Sequence, residues 1–97
     1  MNYHLSPDAA QDLEDLYFYS IQQFGPDQAE SYHQKLQEHF ITLSENPKMG
    51  RDYSFIKQHA RRSNCGSHAV YYRLVGVNSQ VLILRVLHQS QDPARHF

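Results

Sequence analysis

Six side chains in the last third of the chain carry most of the chemistry this sequence offers: Arg61, Arg62, His68, Arg73, Arg85 and His88, with Asp92 just beyond. Arginine presents a planar fork of donors that fits phosphate or carboxylate, and histidine moves a proton near neutral pH. Together they can grip a phosphate backbone or an acidic partner. Four of the six lie within SHAVYYRLVGVNSQVLILRVLHQSQD (Ser67–Asp92), among Val, Leu, Ile and Tyr. A cation inside such a strand is costly unless something pairs with it or it faces a groove. The alternative is a structural network in which Arg85 pairs with Asp92 or with an acid on a helix.

Other chemistries find less support. Asp8, Asp12 and Asp15 stand at i, i+4 and i+7 on one edge of the first predicted helix. Acids in a helix's first turns usually complement its dipole on a solvated face, and that reading is taken here. There are seven histidines, but His33 and His39 do not share a helix face and no HxH or HxxxH spacing occurs, so no metal site is expected. Ser67-His68 has no nearby acid to complete a nucleophilic triad. No phosphate-binding glycine loop is present, and no cofactor is implied. The single cysteine, Cys65, rules out an internal disulfide.

The elements that must position these residues follow from periodicity and punctuation. Tyr3 to Leu5 can form a short strand. Ser6-Pro7-Asp8 reads as an N-cap, a proline at the first helical position and an acid at the positive end of the dipole. Ala9, Leu13, Leu16, Ser20 and Phe24 then carry the first helix to about Phe24. Gly25 stops it and Pro26 opens a second helix, with Ala29, Tyr32, His33, Leu36, Phe40 and Leu43 on one stripe. Pro47 ends that helix near Asn46. A weak strand is predicted around Lys57–Arg62. A β-hairpin then turns at Gly76-Val77-Asn78-Ser79. In that hairpin Arg73 lies near Leu82, and Arg85–Leu87 lies near Ala69–Val70, making Arg85 a neighbour of His68.

At 97 residues the chain is long enough for one domain, residues 1–97, with a core that needs no staples. Net charge is −1, but it is unevenly spread: two lysines face eight acids in residues 1–50, and seven bases face two acids in residues 51–97. An acidic and a basic flank on one small body result, unless the two neutralise each other within the fold. No signal peptide is visible and no apolar run approaches a membrane span, so a cytoplasmic protein without membrane attachment is expected.

Apolar surface exceeds what the elements can cover. The two hairpin strands are apolar on both faces, with Val81 and Ile83 on one side and Leu82, Leu84 and Val86 on the other. A helical hairpin covers only one face of a sheet. The apolar positions of the first helix sweep roughly 200°, against a stripe of ~100° for a core-facing helix. Tyr17, Phe18 and Ile21 are therefore the expected partner-binding residues, together with the spare sheet face.

In this order and spacing, YHLSPDAAQDLEDLYFYS, FGPDQAESYHQKL, LSENPKMGRDY, RRSNCGSHAVYYR and LRVLHQSQD resemble the ParE toxins of bacterial type II toxin–antitoxin systems, within the RelE/ParE superfamily. Gln91 departs from the methionine often found before the aspartate that corresponds to Asp92. The resemblance implies an α+β fold of order β-α-α-β-β-β, an antiparallel sheet packed on a two-helix hairpin. It also implies a non-enzymatic toxin that inhibits DNA gyrase by trapping it on cleaved DNA. Such a toxin is held inactive by a ParD-like antitoxin whose disordered C-terminal segment folds onto it, so nucleic acid is met only indirectly. On this reading Arg61, Arg62, His68, Arg73, Arg85 and His88 face the target, and Tyr17, Phe18 and Ile21 face the antitoxin. The superfamily's other branch, the RelE-like ribosome-dependent mRNA endonucleases, uses basic residues with a late Tyr or His. Arg61, Arg62, Arg85 and His88 stand in roughly usable places for that chemistry, but few lysines accompany them. A non-catalytic adaptor is the third possibility.

Overall fold

Ser6 organises the start of the fold. In a computed structural model describing residues 3–97, its backbone N–H donates to Ile83 O at 2.9 Å, ending strand β1 (Tyr3–Leu5). Its Oγ accepts from Ala9 N at 3.0 Å, capping helix α1 (Pro7–Phe24), and donates to Leu84 O at 2.8 Å. One hydroxyl thus fixes a strand end, a helix start and their common neighbour. Gly25, at φ 87°, closes α1 by donating to Ile21 O and passes directly into helix α2 (Pro26–Glu45). A single left-handed residue between two long helices folds them into an antiparallel hairpin.

Four strands follow: β2 (Arg51–Asp52), β3 (Arg61–Cys65), β4 (His68–Val75) and β5 (Gln80–His88), with a 3-10 turn at Pro93–Arg95. The sheet order is β1-β5-β4-β3-β2. The expected helical hairpin on a sheet is present. The sheet is mixed, because β1 runs parallel to β5 (Tyr3 opposite Val81, Leu5 opposite Ile83) while the other pairs are antiparallel. The long connection from β1 to β5, which holds both helices and the three strands between, permits that parallel pairing. The strand expected around Lys57–Arg62 starts later, at Arg61, since Tyr53–Ala60 forms a looped turn closed by Tyr53 N to Ala60 O at 2.9 Å.

Leu36, Phe40 and Leu43 of α2 and Ala9 and Leu13 of α1 pack on Val70, Tyr72, Val81, Ile83 and Val86, forming the main core. Val86 belongs to this side and not with Leu82 and Leu84 as strict alternation predicts. A bulge is responsible: Tyr71 is opposite Arg85 and Tyr72 opposite Ile83, leaving Leu84 without a partner and shifting the phase of β5 by one. Tyr72 is fully buried, its hydroxyl donating to Pro47 O at 2.8 Å and accepting from Gly50 N at 2.9 Å. A Cβ at Gly50 would lie 2.5 Å from that hydroxyl, so the position admits glycine alone.

The outer face is less bare than the sequence suggests. Ala69, Tyr71 and Leu87 form a second cluster there with Tyr53 and Leu84, and Phe97 sets its ring edge-on to Tyr71 at 5.4 Å. The loop before β3 and the segment after β5 supply cover that periodicity could not anticipate.

Candidate partner groove and its flanking cations

After Leu5 the chain leaves the sheet, so the edge of β5 beyond Ile83 has no strand beside it. Helix α1 takes that place. Asp12 Oδ2 accepts the edge N–H of Val86 at 2.9 Å and Arg85 Nε at 2.8 Å, while its Oδ1 accepts from an Arg85 terminal amino group at 2.8 Å. Another terminal nitrogen of Arg85 donates to His96 O at 2.9 Å. This bidentate bond to Asp12 is the main reason the guanidinium is held in its charged form more firmly than usual. Asp12 is therefore no solvated dipole complement. It is the partner of the one strand arginine that meets a carboxylate within 4 Å among the described residues.

Between α1, the start of α2 and the ends of β4 and β5 lies a groove of about 700 Å³. Leu16, Tyr19 and Phe24 form its apolar wall, with Tyr19 and Phe24 more than half exposed. Tyr32, Ser67, His68 and His88 belong to its polar lining, together with Asp12, Asp15 and Arg85. Gly66, at φ 60°, turns the chain from β3 into β4 so closely against Tyr32 that a Cβ would lie 2.7 Å from its hydroxyl. That hydroxyl accepts from Ser67 N at 3.1 Å and lies 2.7 Å from His68 Nδ1. The same hydroxyl also reaches Cys65 O at 3.2 Å, so the direction of its bond to His68 follows the tautomer of that ring. Burial first, then the neighbouring His88, pushes His68 below the usual histidine range. His88 sits opposite it across the two strands, its ring edge-on at 5.4 Å. Ser90 N donates to His88 Nδ1 at 3.1 Å, leaving Nε2 as that ring's donor. Two imidazoles and two hydroxyls beside an apolar wall suit a peptide segment that brings both polar and apolar groups.

The expected site residues separate into groups. His68, Arg85 and His88 share the groove, although the cross-strand partner of His68 is His88 and that of Arg85 is Tyr71. Arg61 and Arg62 part company, as adjacent strand residues must. Arg61 turns back to Gly50 O at 2.7 Å, and Arg62 lies over the rings of Tyr53 and Tyr71 at 5.4 and 5.6 Å. Arg73 lies opposite Leu82 as expected, and its Nε is buried without an acceptor. Of the expected partner residues on α1, Phe18 is exposed and Ile21 half-buried, while Tyr17 turns to α2, donating to Glu30 at 3.2 Å and stacking edge-on with His33. The groove residues Leu16, Tyr19 and Phe24 escaped the sequence reading. Leu16 and Phe24, eight apart, share a helix stripe with Tyr19 at its margin, but the opposing wall exists only once β5 has folded beside it.

The matching family model is the ParE toxin of type II toxin–antitoxin system, parDE, which covers residues 3–93. This chain belongs to the ParE toxin family. It is 43% identical over 94 residues to Toxin ParE1 of Caulobacter vibrioides, covering 97% of this chain and 95% of the relative. It is 36% identical to Toxin ParE1 of Mycobacterium tuberculosis over the same shares. A chain of the chromosomal ParDE TA system from P. aeruginosa has the same fold, with a TM-score of 0.76 and 21% identity, covering 91% of this chain and 95% of that one. This ParE chain is thus a toxin of a type II toxin–antitoxin system. Among the described residues, no helix is long and apolar enough to cross a membrane.

Proposed function

We propose that this ParE toxin acts in the cytoplasm by binding and inhibiting DNA gyrase without catalysis of its own, and that a ParD-like antitoxin neutralises it by laying a segment in the groove between α1 and the open edge of β5. The observation that carries the partner reading is the groove: Leu16, Tyr19 and Phe24 give anchors for an amphipathic segment, and its polar lining gives donors to orient it. Phe18 and Ile21 extend the apolar surface along α1, and the exposed acids Asp8 and Asp15 suit basic residues on the segment. Such a segment, disordered when free, gains its affinity from a few deep anchors.

The target-facing cations in this reading are those without a carboxylate, chiefly Arg62 and Arg73, with His88 at the groove rim. A nuclease would need several free cations around one phosphate together with an acid and a base. Arg85 is already neutralised by Asp12 and Arg61 is spent on loop carbonyls, which favours inhibition by binding over mRNA cleavage.

Two assays test the proposal. Purified chain should block gyrase supercoiling, and a ParD-like antitoxin should restore it. Tyr19→Asp combined with Phe24→Asp should keep inhibition but lose rescue. Absence of inhibition at high excess refutes the gyrase reading. Ribosome-dependent mRNA cleavage lost in His88→Ala would establish the nuclease instead, and inactivity in both assays would leave an adaptor.

A further inference from the structure

The antiparallel register lines up Arg51 of β2, Arg62 of β3, Tyr71 of β4 and Arg85 of β5 in one row across the sheet. Residues paired in this way project from the same face, and like charges directly opposite each other destabilise a sheet. Arg85 is relieved by Asp12. Arg51 and Arg62 are not: among the described residues neither has a carboxylate within 4 Å, and Arg62 donates only to the neutral Tyr53 hydroxyl (3.0 Å) and Asn64 Oδ1 (3.2 Å). Arg73, two residues along β4 from Tyr71, makes no hydrogen bond among the described residues. The nearby acids are engaged elsewhere. Asp52 accepts from Ser54 N and Oγ, and Asp92, whose charge reaches Tyr71, accepts from Ala94 N. Within the fold Arg62 is met by aromatic rings and neutral acceptors alone, which leaves the positive charge of this row available to an anion from outside.

Beside these cations stands an aromatic plate. Phe55 is 75% exposed, and its ring stacks on Tyr53 with centroids 4.7 Å apart and planes tilted by 37°. Arg62 lies against the same Tyr53 ring. We propose that this outer face binds single-stranded nucleic acid directly, with Phe55 stacking on a base and Arg51, Arg62 and Arg73 on the phosphates. A purely acidic peptide such as poly-glutamate would match the charges but leave the exposed ring uncovered. A duplex keeps its bases inside its own stack, so the plate selects a single strand. The sequence reading had nucleic acid reached only through gyrase or antitoxin; here the contact is direct. It stands apart from the gyrase proposal, since it concerns the isolated chain and requires no enzyme.

Fluorescence anisotropy tests it, using a labelled 12-nucleotide dT strand, the corresponding U strand and a duplex of the same length. Single strands should bind in the micromolar range at low salt. With three phosphate contacts, affinity should fall about 20-fold between 50 and 200 mM salt. Phe55→Ala should weaken binding by about tenfold or more at every salt concentration. Arg51→Gln should lower the slope of log affinity against log salt by about 0.7. Both residues are exposed, and an unchanged urea midpoint confirms that each variant folds. No saturation at 100 μM strand overturns the proposal. So does duplex binding as tight as single-strand binding with Phe55→Ala silent, which would mean a plain electrostatic patch. Equal competition by a poly-glutamate peptide overturns it as well, reassigning the face to an acidic protein.

Discussion

Arg85 and Arg62 occupy one row of one sheet, yet the molecule treats them in opposite ways. At the edge of β5 that no strand covers, Asp12 forms a bidentate pair with Arg85 and takes the spare N–H of Val86, so charge and backbone are satisfied together. On the outer face, two strands away, Arg62 rests on aromatic rings opposite a second arginine, with no carboxylate among the described residues within 4 Å. The first arrangement closes an edge that would otherwise invite another strand. The second keeps its charges available. An arginine in a strand is therefore no functional signal until its partner is known.

Breaking the first region should cost most. Asp12→Ala leaves a largely buried guanidinium unpaired and the Val86 N–H unsatisfied, for a loss of about 3 kcal/mol. Thermal unfolding should show the midpoint falling by roughly 12–24 °C for a domain of this size. A drop of only a few degrees would mean that the pair is no keystone.

The adjacent tyrosines sharpen the same contrast between satisfied and available groups. Tyr72 faces the helices and holds Pro47 O and Gly50 N, so Tyr72→Phe should cost about 2 kcal/mol in urea unfolding. Tyr71 faces outward and its hydroxyl makes no hydrogen bond among the described residues, so Tyr71→Phe should stay within about 0.5 kcal/mol. Equal costs would erase the distinction between the two faces.

Titration probes the groove. Burial pushes both His68 and His39 below the ordinary histidine value of 6.5, so the folded chain favours their neutral forms. The unfolded chain takes up the protons first as pH falls. Stability is thus fully present above the ordinary value and declines as pH drops below it. The urea midpoint should decrease between about pH 7.5 and pH 5, and His68→Gln with His39→Gln should flatten that decrease. An unchanged slope in the double variant would place the titrating groups elsewhere.

The smallest effect is expected at Arg51. Arg51→Thr removes one of two facing like charges, and stability should hold or rise by about 0.3 kcal/mol. A clear loss would show that Arg51 supports the fold and would remove it from the set of charges kept for a ligand.

Local signals determined a good deal of this protein. Ser6-Pro7, Gly25-Pro26 and Pro47 set the helix limits, because caps and proline act on their immediate neighbours. The Gly76–Ser79 turn set the hairpin, with Arg73 opposite Leu82 as read. The order of short motifs identified the ParE family. Tertiary structure alone decided that Asp12 meets Arg85, 73 positions apart in the chain, and that Tyr53 and Phe97 cover part of the outer face. It also decided that Val86 turns inward after a bulge and that Leu16, Tyr19 and Phe24 wall a groove. Each depends on two segments meeting at a particular register. Periodicity reports which face of one element is apolar, but not which residue of another element arrives there.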